Sequence, residues 1–237
     1  MGAERRSMVL TDEQKEKTAY HEAGHAIVGI NLPKCDPVYK ATIIPRGGAL
    51  GMVVSLPEMD RLQMHKDEGK QKLAMTMAGK AAEIIKYGEE GVSSGPVGDI
   101  QQASSLARAM VMRWGMSDVI GNIDYSEAHE GYNGSTGGFS VSAETKMKIE
   151  QEVKGLIDEG YETARRILLE QNDAFEALAH GLLEYETLTG DEIRKVIAGQ
   201  KLHGDDDKPS TGGGTTSVLS IPKTRGKAAK AGLEPSA

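Results

Sequence analysis

His21, Glu22 and His25 stand in the run Ala19-Tyr20-His21-Glu22-Ala23-Gly24-His25-Ala26, an HExxH pattern. Two histidines four residues apart on a helix leave the same face, one turn from each other. Imidazoles at that spacing can grip one Zn²⁺, and a glutamate beside the first can take a proton from a water at the metal. So short a pattern also arises by chance, and the histidines are then ordinary solvated or core residues on a helix. The surroundings decide between the two.

A helix is well signalled here. Thr11 and Gln14 form a capping-box pair just ahead of the motif. Ala19, Ala23, Ala26, Ile27 and Ile30 then give one apolar face, and Asn31-Leu32-Pro33 ends the run. Gly24 inside it costs about 1 kcal/mol relative to Ala. Either the helix simply tolerates it, or another backbone comes close at that point.

A zinc site of this kind needs a third ligand, and two carboxylates offer themselves. Residues 60 to 87 read as a helix with Leu73, Met77, Ala81 and Ile84 or Ile85 on its apolar side, and Glu83 lies on or beside that side. A carboxylate there is unusual. Gly88 to Gly98 reads as loop. Asp99 then opens an amphipathic helix through Ile100, Ala103, Leu106, Ala107, Met110, Val111 and Trp114. An aspartate at a helix start has a plain role as cap or dipole partner. Residue types alone leave Glu83 and Asp99 both open. His65, His129 and His180 read as exposed or half-buried residues without a site.

The remaining elements are scaffold. Val38 to Ile44 and Gly51 to Leu56 read as a small hairpin, with Pro45 and Pro57 suggesting edge strands. Such an edge either supports the fold or adds an extended peptide beside the metal. A Gly-rich connection covers 117 to 141, read as long and mobile. Two helices follow, Ser142 to about Leu169 and Asp173 to about Tyr185, and a Thr189/Glu192 capping pair starts a last short one. The expected fold is mainly α: a helical domain with a small β-hairpin and a C-terminal helical hairpin.

Whole-chain properties narrow the function classes. The 237 residues carry a net charge of −7, which argues against general affinity for nucleic acid or anionic lipid. No apolar run approaches membrane-spanning length, and the start lacks a signal-peptide pattern. Cys35 is the sole cysteine, so no internal disulfide forms; it reads as a small turn residue. No GxxxxGK[ST] phosphate loop occurs, so ATP binding is not expected of this chain.

Four blocks in order, TAYHEAGHAIVG, ATIIPRGGALGMV, SSGPVGDIQQASSLARAMVMRWGMS and SAETKMKIEQEVKGLI, resemble the peptidase domain of FtsH, the membrane-anchored AAA+ zinc protease family. The likeness covers roughly residues 4 to 199. It implies one Zn²⁺ per chain on His21, His25 and Asp99, with Glu22 as general base. Glu83 becomes a neighbour that orients a ligand histidine. Pro96 and Gly98 stand where the family more often has Ala and Asn, and a Phe-Leu-Gly-Arg-like segment is replaced by Gly131-Tyr132-Asn133-Gly134-Ser135.

The same likeness implies three stretches: 1–10 as the junction from an ATPase module, 11–200 as the zinc peptidase, and 201–237 as a tail that its composition marks as disordered. It implies a soluble fragment of a homo-hexamer at the cytoplasmic face of a bacterial inner membrane, or the organellar equivalent, degrading unfolded or membrane-extracted polypeptides. Two other readings stay open: a zinc-containing hexamer-assembly module with weak or no turnover, and a helical interaction domain without metal.

Overall fold

The computed structural model describes residues 10–57, 63–125 and 141–202. The expected tail, the N-terminal junction up to residue 9, the Gly131–Ser135 segment and His129 lie outside the described residues.

Helix α1 (Asp12–Asn31) starts as its sequence requires, with Thr11 and Gln14 exchanging capping bonds. Strands β1 (Val38–Thr42) and β2 (Met52–Ser55) pair antiparallel. Between them Arg46 and Ala49 exchange main-chain hydrogen bonds across Gly47 and Gly48, and Gly47 adopts φ 59°. That left-handed conformation suits glycine. Helix α2 (Lys66–Tyr87) begins after an exposed His65, later than the 60 expected. Helix α3 (Val97–Met112) is followed by α4 (Ala143–Glu170), α5 (Asn172–Tyr185), the short strand β3 (Thr187–Thr189) and α6 (Gly190–Ile197). The Thr189 cap falls where the sequence places it, and Ser142, read as the start of its helix, is that helix's N-cap.

The sheet corrects one expectation. β3 pairs with the other side of β1, with Ala41 opposite Leu188, so the strand order is β2-β1-β3 and β1 is central. Pro45 and Pro57 lie beyond the strand ends and take no ladder position, which is why they permit this. Among the described residues β2 and β3 are the edges of this sheet. Three residues spanning Thr187 to Thr189 are too few to show a period, so the third strand is invisible in sequence.

The core gathers around α1. Ala19, Ala23, Ala26 and Ile27 are fully or almost fully buried with Tyr20 and Val28, while Ile30 is largely exposed and does not belong to that face. Helix α2 packs on α1 and α4, and α5 also packs on α1. Ile100 and Trp114 are likewise exposed, leaving Ala103, Ala107, Met110 and Val111 as the buried stripe of α3. Gly24 is explained by close approach. A Cβ there would sit 2.6 Å from Ala82 Cβ and 2.8 Å from the Ala78 carbonyl oxygen on α2. The two helices touch because residue 24 has no side chain.

Candidate metal centre

The close approach of α1 and α2 sets the site. His21 and His25 leave α1 toward α2 with their Nε2 atoms 3.1 Å apart. Each Nδ1 is engaged from α2. His25 Nδ1 lies 2.8 Å from the main-chain oxygen of Met75, and His21 Nδ1 lies 2.9 Å from Glu83 Oε1. A carbonyl oxygen can only accept, so His25 must carry its proton on Nδ1. Glu83 is 2 % exposed, and its second oxygen accepts the Ser93 main-chain N–H at 2.8 Å. Burial opposes its charge, but the His21 and Ser93 bonds outweigh that and hold its pKa below the ordinary carboxylate value. Glu83 is thus a carboxylate, and His21 donates its Nδ1–H to it. In its neutral form each ring then turns an Nε2 lone pair to the same point.

Asp99 completes the triangle. It sits in the first turn of α3, whose N-cap is Pro96 with no side-chain cap, so the carboxylate is not used as a cap. Its Oδ2 lies 3.1 Å from His21 Nε2 and 3.5 Å from His25 Nε2. That oxygen is buried with no properly oriented hydrogen bond. Three acceptor atoms so close repel one another unless positive charge lies between them. Burial disfavours charge on both His21 and Asp99, yet their mutual attraction prevails: the His21 pKa rises to about 10 and that of Asp99 falls well below the usual range. A single proton satisfies one pair of the three atoms; a divalent cation satisfies all three. Tetrahedral ligands at about 2.0–2.1 Å from zinc lie about 3.3 Å apart. The observed separations of 3.1, 3.1 and 3.5 Å match that spacing. Among the described residues this is the one cluster of three or more His, Cys, Asp or Glu side chains able to hold a metal.

Two glycines keep the site open. A Cβ at Gly79 of α2 would lie 2.6 Å from His25 Nε2 and collide with the His21 ring as well. A Cβ at Gly51, just before β2, would lie 2.7 Å from Glu22 Oε1. Glu22 itself is 6 % exposed. Burial raises its pKa, with His25 and His21 pulling the other way. The three ligand candidates and Glu22 line one cleft of about 1720 Å³ that also runs along β2.

Sequence reasoning brought Glu22, Glu83 and Asp99 to this cluster but missed Gly79, Gly51, the Met75 carbonyl and the Ser93 N–H. Gly79 carried the same signal as Gly24, a glycine inside a helical pattern. The main-chain groups carried none.

The sequence profile of peptidase family M41 matches residues 8–196. The chain belongs to peptidase family M41. Its curated relatives include the ATP-dependent zinc metalloproteases FtsH of Caulobacter vibrioides, 47% identical over 214 residues, and of Rickettsia bellii, 43% identical over 222 residues. The Haemophilus influenzae protein of the same name is 44% identical over 200 residues. These alignments take in 89%, 93% and 83% of this chain but only 34%, 35% and 32% of the respective relatives. The chain therefore spans about a third of the length of the relatives it matches. M41 is a family of peptidases, and the HExxH helix lies within the matched residues. No described helix of this M41 chain is long and apolar enough to cross a membrane.

Proposed function

We propose that this chain is the proteolytic part of an ATP-dependent zinc protease, cleaving unfolded or membrane-extracted polypeptides with one zinc on His21, His25 and Asp99. The observation that carries this is the convergence of three bare acceptor atoms, 3.1 to 3.5 Å apart, in the cleft that Glu22 lines. Zinc held there would lower the pKa of a bound water to about 7 and polarise the scissile carbonyl. Glu22 accepts the attacking water's proton and returns it to the departing amine, and its raised pKa suits both transfers. Glu83 holds the Nδ1 proton of His21 and so fixes the tautomer that presents Nε2. β2 is an edge strand and lines the cleft, an arrangement suited to pairing with an extended segment of substrate.

The names of the relatives support a parent with an ATPase module. The family likeness further supports a homo-hexamer at the cytoplasmic side of a bacterial inner membrane. The sequence holds no phosphate loop, so cleavage by this chain alone is expected to need no nucleotide.

The test is zinc content of protein purified without chelator, together with casein cleavage before and after chelation. Stoichiometric zinc and chelator-sensitive cleavage support the proposal. Zinc without turnover favours the assembly module, and absence of zinc favours the metal-free interaction domain. Glu22→Gln is expected to keep zinc and fold while cutting turnover by about 10²-fold or more. Cleavage at the wild-type rate in that variant would remove Glu22 from the mechanism.

A further inference from the structure

The contacts between α1 and α2 form an antiparallel ladder. His25 meets Met75, Gly24 meets Ala78 and Ala82, and His21 meets Glu83. The next rung is not part of the metal site. Tyr20, 1 % exposed, donates its hydroxyl to Glu176 Oε2 of α5 at 2.5 Å. Lys86, one turn beyond Glu83, places its ammonium 4.1 Å from the centroid of the Tyr20 ring and 3.1 Å from both Glu176 oxygens. Phe175 of α5 and Tyr87 of α2 stand edge-on to the same ring at 5.5 and 6.0 Å.

This rung joins three helices through one ring and one ion pair. Tyr20 is covalently next to His21, and Lys86 lies three residues past Glu83, so the two rungs share both backbones. A slide or rotation of α1 on α2 that misaligned His21 and Glu83 would also break the Tyr20–Lys86–Glu176 contacts. The lysine adds resistance, because a slide that drew its ammonium off the ring and the carboxylate would forfeit both attractions.

We propose that Tyr20, Lys86 and Glu176 are positioning residues for the metal site, clamping α1 on α2 in the register that seats His21 against Glu83. The inference rests on the zinc reading above. It adds that α5, remote from the ligands, influences zinc affinity through this clamp.

The test is a double-mutant cycle on zinc affinity, measured by competition with a calibrated chelator. Tyr20→Phe keeps the ring and removes only the hydroxyl. It is expected to weaken zinc by roughly 10-fold, the lower end of the loss seen when a residue behind a ligand is changed. In a Glu83→Ala background, where no His21–Glu83 bond remains to align, the same change is expected to cost no more than about 2-fold, which is within the scatter seen for uncoupled changes. Equal losses in the two backgrounds, or wild-type affinity in Tyr20→Phe, would overturn the clamp. If Tyr20→Phe does not fold, Glu176→Gln takes its place in the cycle, since it keeps an acceptor for the hydroxyl and weakens the ion pair. The wild-type protein separates the two ideas. No zinc in wild type overturns the metal site and the clamp together, whereas tight zinc in wild type with an additive cycle overturns the clamp alone.

Discussion

The site has two unlike sides. On the α1–α2 side, both histidines are held at Nδ1 by groups of α2, and glycines at 24 and 79 let the helices meet without a Cβ between them. On the α3 side, Asp99 arrives from a helix start without a side-chain cap, and its Oδ2 lacks a well-formed hydrogen bond. Packing sets the direction of two candidate ligands without any ion. The third is aimed at the same point, where a cation would supply the partner its oxygen lacks. Such a division lets a rigid helix pair define the geometry while one short side chain closes it.

Removing ligands tests the comparison most strongly. Asp99→Ala deletes a donor atom and is expected to weaken zinc more than Glu83→Ala, for which about 10- to 100-fold is expected. Parallel zinc titrations decide it. Near wild-type affinity in the Asp99 variant, with loss in the Glu83 variant, would reverse the roles of the two carboxylates.

The same small substitution on the two sides sharpens the contrast. Gly79→Ala places a methyl against both imidazoles; overpacking of about 1–3 kcal/mol corresponds to a loss of roughly 5- to 150-fold in zinc affinity if the rings absorb it. Gly98, beside Asp99 in the first turn of α3, has no atom within 4 Å of an added Cβ. Gly98→Ala is therefore expected to leave zinc binding unchanged and to raise stability by about 0.4–1 kcal/mol through a stiffer unfolded chain. Thermal unfolding and zinc titration of both variants check this. A sensitive Gly98 and a tolerant Gly79 would invert the picture of which side is preset.

What the sequence made legible follows the same division. The α1 helix was readable because its cap, its alanine face and its two histidines share one period. Glu83 was readable as a carboxylate at an odd place and Asp99 only as an aspartate at a helix start with a plain role open to it, and the family likeness ranked them. Ile30, Ile100 and Trp114 were misplaced because apolar spacing shows which residues share a face and not where the neighbouring helix ends. The Met75 carbonyl and the Ser93 N–H could not be read at all, since every residue carries those groups and only the fold selects which ones point at a ligand.

The central position of β1 has a consequence for how the molecule comes into being. One neighbour, β2, is complete by Ser55, but the other, β3, lies at Thr187–Thr189. Helix α5, which backs Tyr20, directly precedes β3. During synthesis the HExxH helix therefore emerges long before the elements that close around it, and β1 keeps an open edge until nearly the whole domain has left the ribosome. Pairings so distant along the chain form late. The HExxH helix is thus among the first described segments to be made and among the last to be fully enclosed.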